Sequence, residues 1–528
     1  MSPFLLSPAT IKPTMNLYKS QAAPLDWRLL TLIPGLKLLL HILVAGRYGY
    51  FRDELYFLDC ARNLDWGYVD CAPLIGYYGK VALLLGGSLT AVRIIPAVAG
   101  AGLVLLTMLL ARRMGGNPFA QALAGLCIVA APIRLAIDGL LSMNAFEPLF
   151  WTGCIYLLIR IIRTGNSRLW IGFGVLAGLG LMNKHSTLLF GFAVLVALIF
   201  SGERRELRKR WIWLGGLVAG LIFLPNIIWQ ITHDFPTLEG LRNVAETGKN
   251  VQLNPLDFIL QQVLLHNPLL LPVWVAGLVW LLAGKGRRLR MVGWIFLTLT
   301  ATMIALKAKH YYLAPIFPMM FAAGAVAIEG WLFQRPKIRF KLWPKALILL
   351  YVLAAGAIIA PAILPFMPPE QLVAYQERIG LAPSKTEVAH VGPLEQRLGD
   401  QFGWEELVAD VAFVYNSLPL QERARTGIYA SNYGEAGALN QFGPAYGLPA
   451  PICAHQNHYF WGPPERDPDN LIWLQWSKEG VQWYCKEVEQ VGEHFHPWGM
   501  AEENRPIYLC RGLKQPLSEI WDDLKHWN

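Results

Sequence analysis

Long apolar stretches recur along the first two thirds of this chain, and they constrain its fold more than any other feature. A helix needs about 20 predominantly apolar residues to cross roughly 30 Å of hydrocarbon. The chain is 54% hydrophobic and only 16% charged, which is typical of a polytopic membrane protein. The sequence therefore predicts an α-helical polytopic membrane protein with about 11 transmembrane helices. The predicted spans are 27–46, 91–111, 118–136, 145–162, 169–183, 186–201, 211–230, 268–284, 290–306, 312–330 and 345–364.

The basic residues are divided unevenly, and their positions predict the orientation of the chain. Residues 1–365 carry a net charge of +19, whereas residues 366–528 carry −10, so the overall excess of positive charge does not indicate nucleic-acid binding. Cytoplasmic loops retain Lys and Arg. We therefore expect a cytoplasmic segment 1–26, a location in the inner (plasma) membrane, and an outer, periplasmic face that carries loop 47–90 and the C-terminal domain. The basic loops are Arg112–Arg113, 160–168, 203–210, 285–290 and 335–345.

The apolar stretches end after Pro365, where Met367–Gln371 (MPPEQ) indicates a helix break and a linker. Alternating strand and helix patterns follow and predict a C-terminal soluble α/β domain over 366–528, with a largely parallel sheet. The segment HQNHYFWGPP (455–464) is either a packed turn or a loop that contacts an acceptor glycan. The predicted strands are 427–432, 451–456, 471–476 and 505–511, the predicted helix is 433–443, and 481–492 fits either structure.

Five of the seven cysteines lie in the parts predicted to face outside, where an oxidising environment permits disulfides. They are Cys60 and Cys71 in the first outer loop, and Cys453, Cys485 and Cys510 in the C-terminal domain. The odd number in the C-terminal domain leaves one cysteine over, and the sequence does not assign the pairs.

Ionisable side chains gather at the outer ends of the predicted helices. A charged side chain near lipid costs several kcal/mol of free energy unless it is paired with an opposite charge or hydrated. These residues are therefore functional candidates. A transporter would place its coupling acids near the middle of the bilayer, often in repeated interrupted helices. The position of the acids instead favours an outward-facing catalytic crevice at the lipid surface, with carboxylates as bases and cations for a phosphate.

The residues of the first outer loop also carry a family resemblance. The stretch GYFRDELYFLDCARNLDWGYVDCAPL (49–74) resembles the N-terminal half of family 39 glycosyltransferases, which include protein O-mannosyltransferases and lipid A aminoarabinose transferases of the GT-C class. The resemblance continues through SMNAFEPLFW (142–151), GLMNKHSTLLF (180–190) and KAKHYYLAPIFP (307–318), so it covers about residues 27–365. That region is the expected GT-C transmembrane catalytic domain.

The resemblance implies an inverting transfer of a sugar from a polyprenyl phosphate, with a first-loop aspartate as the base. By motif, that base is Asp53, unless Asp53 only pairs with Arg52 or Arg62. Asp70 matches the second first-loop acid of the family. The remaining first-loop acids, Asp59 and Asp65, are expected to be solvated or to cap short helices.

The resemblance also implies substrate-binding residues, which are named here by their positions in this sequence. Many relatives have an aspartate at the start of the fourth helix, where this chain has Asn144, and Glu147 lies one turn further on the same face. Arg134 and Asp138 either belong to the site or pair with each other. Lys307 shares a face with His310 and Tyr311 if that segment is helical. The predicted substrate-binding set is Glu54, Asp70, Asn144, Glu147, Lys184, His185, Lys307, His310 and Tyr311.

Three of these residues have an alternative interpretation. Glu54 either belongs to the site or orients the loop or caps a helix, and Glu147 either belongs to the site or stabilises the start of its helix. Lys184 either binds the donor phosphate or is an interfacial lysine.

The expected partners are a polyprenyl-phosphate-linked sugar donor, a lipid, glycan or protein acceptor, and membrane lipid. The chemistry requires no cofactor, and whether a divalent cation acts at a structural or acceptor-side site is left open. Two other functions compete with the transferase hypothesis. One is a transporter or flippase of lipid-linked sugars, and the other is a non-catalytic envelope assembly protein, which the replacement of an acid by Asn144 favours.

Overall fold

The computed structural model describes residues 25–333, 342–382, 386–388 and 390–527. Of the predicted N-terminal segment 1–26, only the last two residues fall within these ranges. Up to residue 365, the described α-helices are α1 (Trp27–Ile42), α2 (Arg52–Arg62), α3 (Leu74–Leu84), α4 (Leu89–Met114), α5 (Pro118–Val129), α6 (Pro132–Ile137), α7 (Met143–Thr164), α8 (Leu169–Asn183), α9 (Thr187–Ile199), α10 (Arg210–Thr232), α11 (Pro236–Thr247), α12 (Pro255–Leu265), α13 (Leu271–Leu282), α14 (Arg290–Ala305), α15 (Phe317–Phe333) and α16 (Trp343–Ile363).

The long apolar helices form the membrane part of the protein. Among the described residues, six helical segments are long and apolar enough to cross a membrane, or up to eight if two bent helix pairs each form one span. The sequence count of eleven is therefore not confirmed. The predicted span 118–136, for example, is interrupted, because Ala131 has an extended backbone before Pro132 begins α6. The six segments are Leu89–Met114, Met143–Thr164, Arg210–Thr232, Arg287–Ala305, His310–Leu332 and Trp343–Ile363.

The first outer loop is itself folded, because it contains α2 and α3. Leu55, Tyr56 and Leu58 of α2 share one hydrophobic core with Trp404 and Leu407 of the C-terminal part. Burial of side chains of this size is a large favourable term in folding. The loop and the C-terminal part therefore stabilise each other, which fixes their relative position.

The C-terminal part contains a four-stranded sheet of strand order β1-β2-β4-β3. Only β1 and β2 run parallel, while β2 with β4 and β3 with β4 run antiparallel, so the expectation of a largely parallel sheet is wrong. The reason is that β3 and β4 follow β2 without a long helical crossover. The strands are β1 (Thr426–Tyr429), β2 (Asn470–Leu474), β3 (Cys485–Glu493) and β4 (Pro506–Leu513). The helices are α17 (Pro369–Arg378), α18 (Gln396–Gly399), α19 (Trp404–Ser417), α20 (Leu420–Arg423), α21 (Tyr433–Phe442), α22 (His458–Trp461), α23 (Lys478–Gln482) and α24 (Trp521–Leu524).

One smaller expectation about this part also differs from the structure. The predicted strand 451–456 is reduced to two isolated bridges, Ile452 with Tyr429 and His455 with His526. A disulfide joins Cys485 of β3 to Cys510 of β4. Cys453 is the unpaired cysteine of this part, and Cys60 and Cys71 are buried free thiols.

The segment 455–464 forms a packed turn on the first outer loop. The Nε2 atom of His458 lies 3.1 Å from a carboxylate oxygen of Asp59, and Asn440 donates to the same oxygen over 2.8 Å. Asp59 is therefore buried between the loop and the C-terminal part, and the expectation that it is solvated is wrong. Asp65 does act locally, because it accepts from the Trp66 amide and from the Trp229 indole.

Candidate functional site

A cavity of about 200 Å³ lies where the first outer loop, the turn before α7, the segment 309–311 and the C-terminal part meet. Of the residues predicted from sequence, Asp53, Asn144, His310 and Tyr311 line this cavity together. These four residues are up to 258 positions apart in sequence, so the fold has gathered them. The cavity is the candidate active site.

Asp53 lies in the first turn of α2 with its side chain at the cavity. Its Oδ1 atom accepts a hydrogen bond of 2.9 Å from the hydroxyl of Tyr433. The two arginines that might have paired with it are engaged elsewhere. Arg62 binds Asp59 at 2.7 Å, and Arg52 lies 3.6 Å from Glu387 and 3.7 Å from Asp400. Asp53 is thus available to a bound substrate.

Glu54, the next residue, points away from the cavity because neighbouring side chains on a helix diverge by about 100°. It has no exposed surface. Its carboxylate lies 3.2 Å from the guanidinium of Arg93 and accepts from the backbone amides of Phe51 and Leu141. Because it is enclosed in this way, Glu54 does not reach a substrate, and the structure makes it an anchor of α2.

Asp70 accepts a hydrogen bond of 3.0 Å from the hydroxyl of Tyr56. Its side chain is exposed, and it is not among the residues that line the cavity. Of the two first-loop acids Asp53 and Asp70, only Asp53 faces the cavity.

Lys184 occupies the break between α8 and α9, where its backbone is extended. Its Nζ donates to the Asn144 side chain over 2.7 Å, lies 3.4 Å from a Glu147 oxygen, and lies 3.9 Å from the centre of the Tyr312 ring. Ser186 also donates to Glu147. Asn144 and Glu147 thus hold the lysine directly behind the cavity wall, and Glu147 itself does not line the cavity.

His185 turns away from this group. Its Nε2 atom lies 3.1 Å from the side-chain oxygen of Asn226 in α10, and the side-chain nitrogen of Asn226 donates to the backbone oxygen of Trp66. His185 does not line the cavity, and it contacts α10 at the residue that binds the first outer loop.

Lys307 is also misplaced by the sequence prediction. The helix α14 ends at Ala305, and Lys307 has a positive φ of 50°, so the shared helical face that the prediction assumed does not form. Lys307 donates to Gln252 at an exposed position. Lys309, two residues later, lines the cavity in its place.

The C-terminal part supplies cavity residues that the sequence did not indicate. Burial raises the pKa of Asp400 despite the attraction of Arg52. Charged residues in a soluble domain usually belong to its solvated surface, so the sequence pattern did not distinguish these residues from surface residues. The polar lining residues outside the predicted set are Arg52, Ser142, Lys309, Thr386, Glu387, Glu395, Gln396, Arg397, Asp400 and Tyr433, and those from Thr386 onward belong to the C-terminal part.

Arg134 and Asp138 pair with each other at 3.1 Å, and Lys37 of α1 joins them at 3.0 Å from Asp138. All three side chains are buried. A guanidinium nitrogen of Arg134 also lies 3.5 Å from the backbone oxygen of Asn144. The pairing interpretation of Arg134 and Asp138 agrees with this geometry, and the group supports the turn that carries Asn144.

Among the residues that the structure describes, no three His, Cys, Asp or Glu side chains gather as metal ligands would. The involvement of a divalent cation stays a hypothesis.

Comparison with known proteins gives three findings. The family model described as dolichyl-phosphate-mannose-protein mannosyltransferase matches residues 70–229. The lipid A galacturonosyltransferase RgtD of Rhizobium johnstonii is 24% identical over 309 residues, which are 56% of this chain and 62% of that relative. The match thus spans less than two thirds of the relative's length.

Solved structures give the third finding. Crystal structures of ArnT from Cupriavidus metallidurans, bound to undecaprenyl phosphate and in the apo state, match with TM-scores of 0.57 and 0.56 at 13% and 12% identity. The matches cover 92% and 91% of this chain and 98% and 97% of those chains. At this identity the likeness shows the fold. This chain is therefore similar to a mannosyltransferase family model over residues 70–229, is similar in sequence to a lipid A galacturonosyltransferase over part of its length, and has a fold like that of ArnT.

Proposed function

We propose that this chain transfers a sugar from a polyprenyl-phosphate donor to an acceptor on the outer side of the membrane, by an inverting mechanism with Asp53 as the base. The observation that carries the proposal is the cavity itself. It holds the carboxylate of Asp53, and Lys309 lines the same cavity while Lys184 lies behind Asn144 in its wall. Sugar transfer from a polyprenyl phosphate needs a base for the acceptor proton and a cationic group for the phosphate.

The proposed reaction is a single displacement. The acceptor hydroxyl oxygen attacks the anomeric carbon of the sugar, and its proton passes to Asp53 as the new bond forms. The bond from the anomeric carbon to the phosphate oxygen breaks, and its electron pair stays on the departing polyprenyl phosphate. Lys184 and Lys309 stabilise that charge in a site removed from bulk water.

The relatives guide the choice of substrates for a test. One solved neighbour is bound to undecaprenyl phosphate, and the curated relative is named as a lipid A galacturonosyltransferase. For this chain we propose the same class of donor and an envelope lipid, glycan or protein acceptor. We also propose that the protein lies in the inner membrane, with the cavity and the C-terminal part on the periplasmic side.

The test is a transfer assay with purified protein in proteoliposomes. The donors are radiolabelled polyprenyl-phosphate mannose and polyprenyl-phosphate galacturonic acid, and the acceptor is an envelope extract from a strain that lacks the gene. Radiolabel that moves from the donor to an acceptor is the expected result. Donor that crosses the membrane chemically intact would instead establish the transporter. If neither occurs with a panel of further lipid-linked sugars, the proposal is overturned in favour of the assembly protein.

Substitution of Lys309, the lysine that lines the cavity, by Met is expected to lower kcat/KM for the donor by about 10- to 100-fold. The reason is that the donor phosphate loses one charge-assisted hydrogen bond, which contributes roughly 1.5–3 kcal/mol. Initial rates at varied donor concentration measure the effect. Lys307→Met is the matched comparison, because Lys307 is a lysine outside the cavity, and its activity should stay near that of the wild type. Equal losses in the two variants would contradict the placement of the phosphate site.

A further inference from the structure

The C-terminal part touches the proposed base directly. The hydroxyl of Tyr433, at the first position of α21, donates to Oδ1 of Asp53 over 2.9 Å, although the two residues are 380 positions apart. We infer that Tyr433 is a positioning residue for Asp53, so that the C-terminal domain completes the active site. This inference rests on the proposed function, because it assigns Tyr433 a role toward the proposed base.

Two glycines allow the close approach that brings Tyr433 to Asp53. A Cβ atom at Gly434 would lie 2.6 Å from Cγ of Arg52, and one at Gly437 would lie 2.8 Å from the carbonyl carbon of Leu55. Real side chains essentially never come so close, so α21 rests on α2 only because both positions lack a side chain. The spacing of three residues puts both glycines on the face of α21 that meets α2.

The tyrosine is also held in place from its other sides. Its backbone amide donates to Nδ1 of His455 over 3.2 Å, and its ring lies 4.9 Å from the ring of Tyr56 and 5.6 Å from the guanidinium carbon of Arg52. Asn432 caps α21 by accepting from the amides of the next turn. The hydroxyl of Tyr433 therefore has a fixed position before any substrate arrives.

The hydrogen bond from the Tyr433 hydroxyl fixes the orientation of the Asp53 carboxylate. A carboxylate on a short side chain rotates about its own bonds, and a base must face the proton that it removes. The hydrogen bond from Tyr433 to Oδ1 restrains that rotation and leaves Oδ2 for the acceptor hydroxyl. Alignment of this kind lowers the barrier to reaction without adding a reacting group.

Tyr433→Phe tests the inference, because it removes the hydroxyl and keeps the ring. We expect kcat to fall about 10-fold or more, as for the loss of one hydrogen bond to a charged group. Donor KM should change less than about twofold and the melting temperature should stay close to that of the wild type, because the hydroxyl acts on the base rather than on donor binding. Tyr429→Phe is the matched control, since Tyr429 is a buried tyrosine of the same domain that packs on Trp473. It should retain wild-type kcat.

The outcomes separate the inference from the function on which it rests. If Asp53→Asn is inactive while Tyr433→Phe has wild-type kcat, the inference is overturned and the proposed base stands. A loss of kcat in Tyr433→Phe that comes with a lower melting temperature, and with an equal loss in Tyr429→Phe, also overturns it, because the effect is then on stability. If Asp53→Asn is fully active, both proposals fall.

Discussion

Substitution of Asp53 by Asn is expected to reduce sugar transfer by about 10²- to 10⁴-fold, the contribution of a general base in an enzyme. The amide has the shape of the carboxylate, and its oxygen is able to accept the hydrogen bond from Tyr433 that Oδ1 accepts now. The fold and the donor site should therefore persist while the group that takes the proton is lost. Rates of radiolabel transfer, measured at saturating donor, give the effect on kcat.

Asp65→Asn is the matched control for this experiment. Asp65 is another carboxylate of the first outer loop, but it binds the indole of Trp229 outside the cavity. An asparagine oxygen is able to accept the same hydrogen bond, so this variant should transfer sugar at nearly the wild-type rate. Full transfer by Asp53→Asn would show that the base is a different residue, and equal losses in the two variants would show that the loop is merely sensitive to charge.

The sequence motif singled out Asp53, the proposed base, whereas it did not assign the role of its neighbour Glu54. Asp53 and Glu54 are adjacent in one motif, and which of them faces the cavity depends on the direction in which α2 is rotated. That rotation is set by Arg93 and by the amide of Leu141, 39 and 87 residues away. The residues around Asp53 and Glu54 in the sequence contain no information about such contacts. The motif alone therefore does not show which of the two carboxylates faces the cavity and which one holds α2 in place.

Lys184 and Lys307 show that a wrong assumption about local backbone structure leads to a wrong prediction of which side chain reaches the cavity. Lys184 lies between α8 and α9, in the gap between the predicted spans 169–183 and 186–201, and contacts Asn144 of the cavity wall, while its role toward the donor stays a prediction. Lys307 was misplaced because helical spacing was assumed across 307–311, where the helix has already ended and φ is positive. Because the backbone is not helical at Lys307, Lys309 lines the cavity instead of Lys307.

The contribution of the C-terminal part was hidden for a different reason. Three of its strands and α21 were visible as sequence patterns, but its contact with α2 joins residues that lie 380 positions apart. The glycines at 434 and 437 are the only sequence trace of that contact, and a glycine in a helix indicates a close approach without naming the partner. The contact between α21 and α2 therefore depends on packing between segments that are distant in sequence, and local sequence patterns do not predict it.

Substitution of Glu54 by Ala is expected to destabilise the protein by about 3–5 kcal/mol, because it leaves the buried charge of Arg93 without its partner. The side chains of Arg93 and Glu54 are 3% and 0% exposed. Arg93 also donates to the backbone oxygens of Arg47 and Gly49 and to the side chain of Gln401. The substitution therefore loosens the point where α2, α4 and the C-terminal part meet. Denaturant titration of the purified protein in detergent measures the change in the free energy of unfolding.

Asp469→Ala is the matched control, since it removes an ion pair of similar length that differs in burial. The Arg425–Asp469 distance is 3.1 Å, but these side chains are 59% and 58% exposed. Solvent screens such a pair, and its loss should cost about 0–1 kcal/mol. If the two substitutions destabilise the protein equally, burial does not determine the strength of the Glu54–Arg93 pair. If Glu54→Ala instead keeps full stability but loses transfer, Glu54 acts on the substrate and its assignment as an anchor of α2 is wrong.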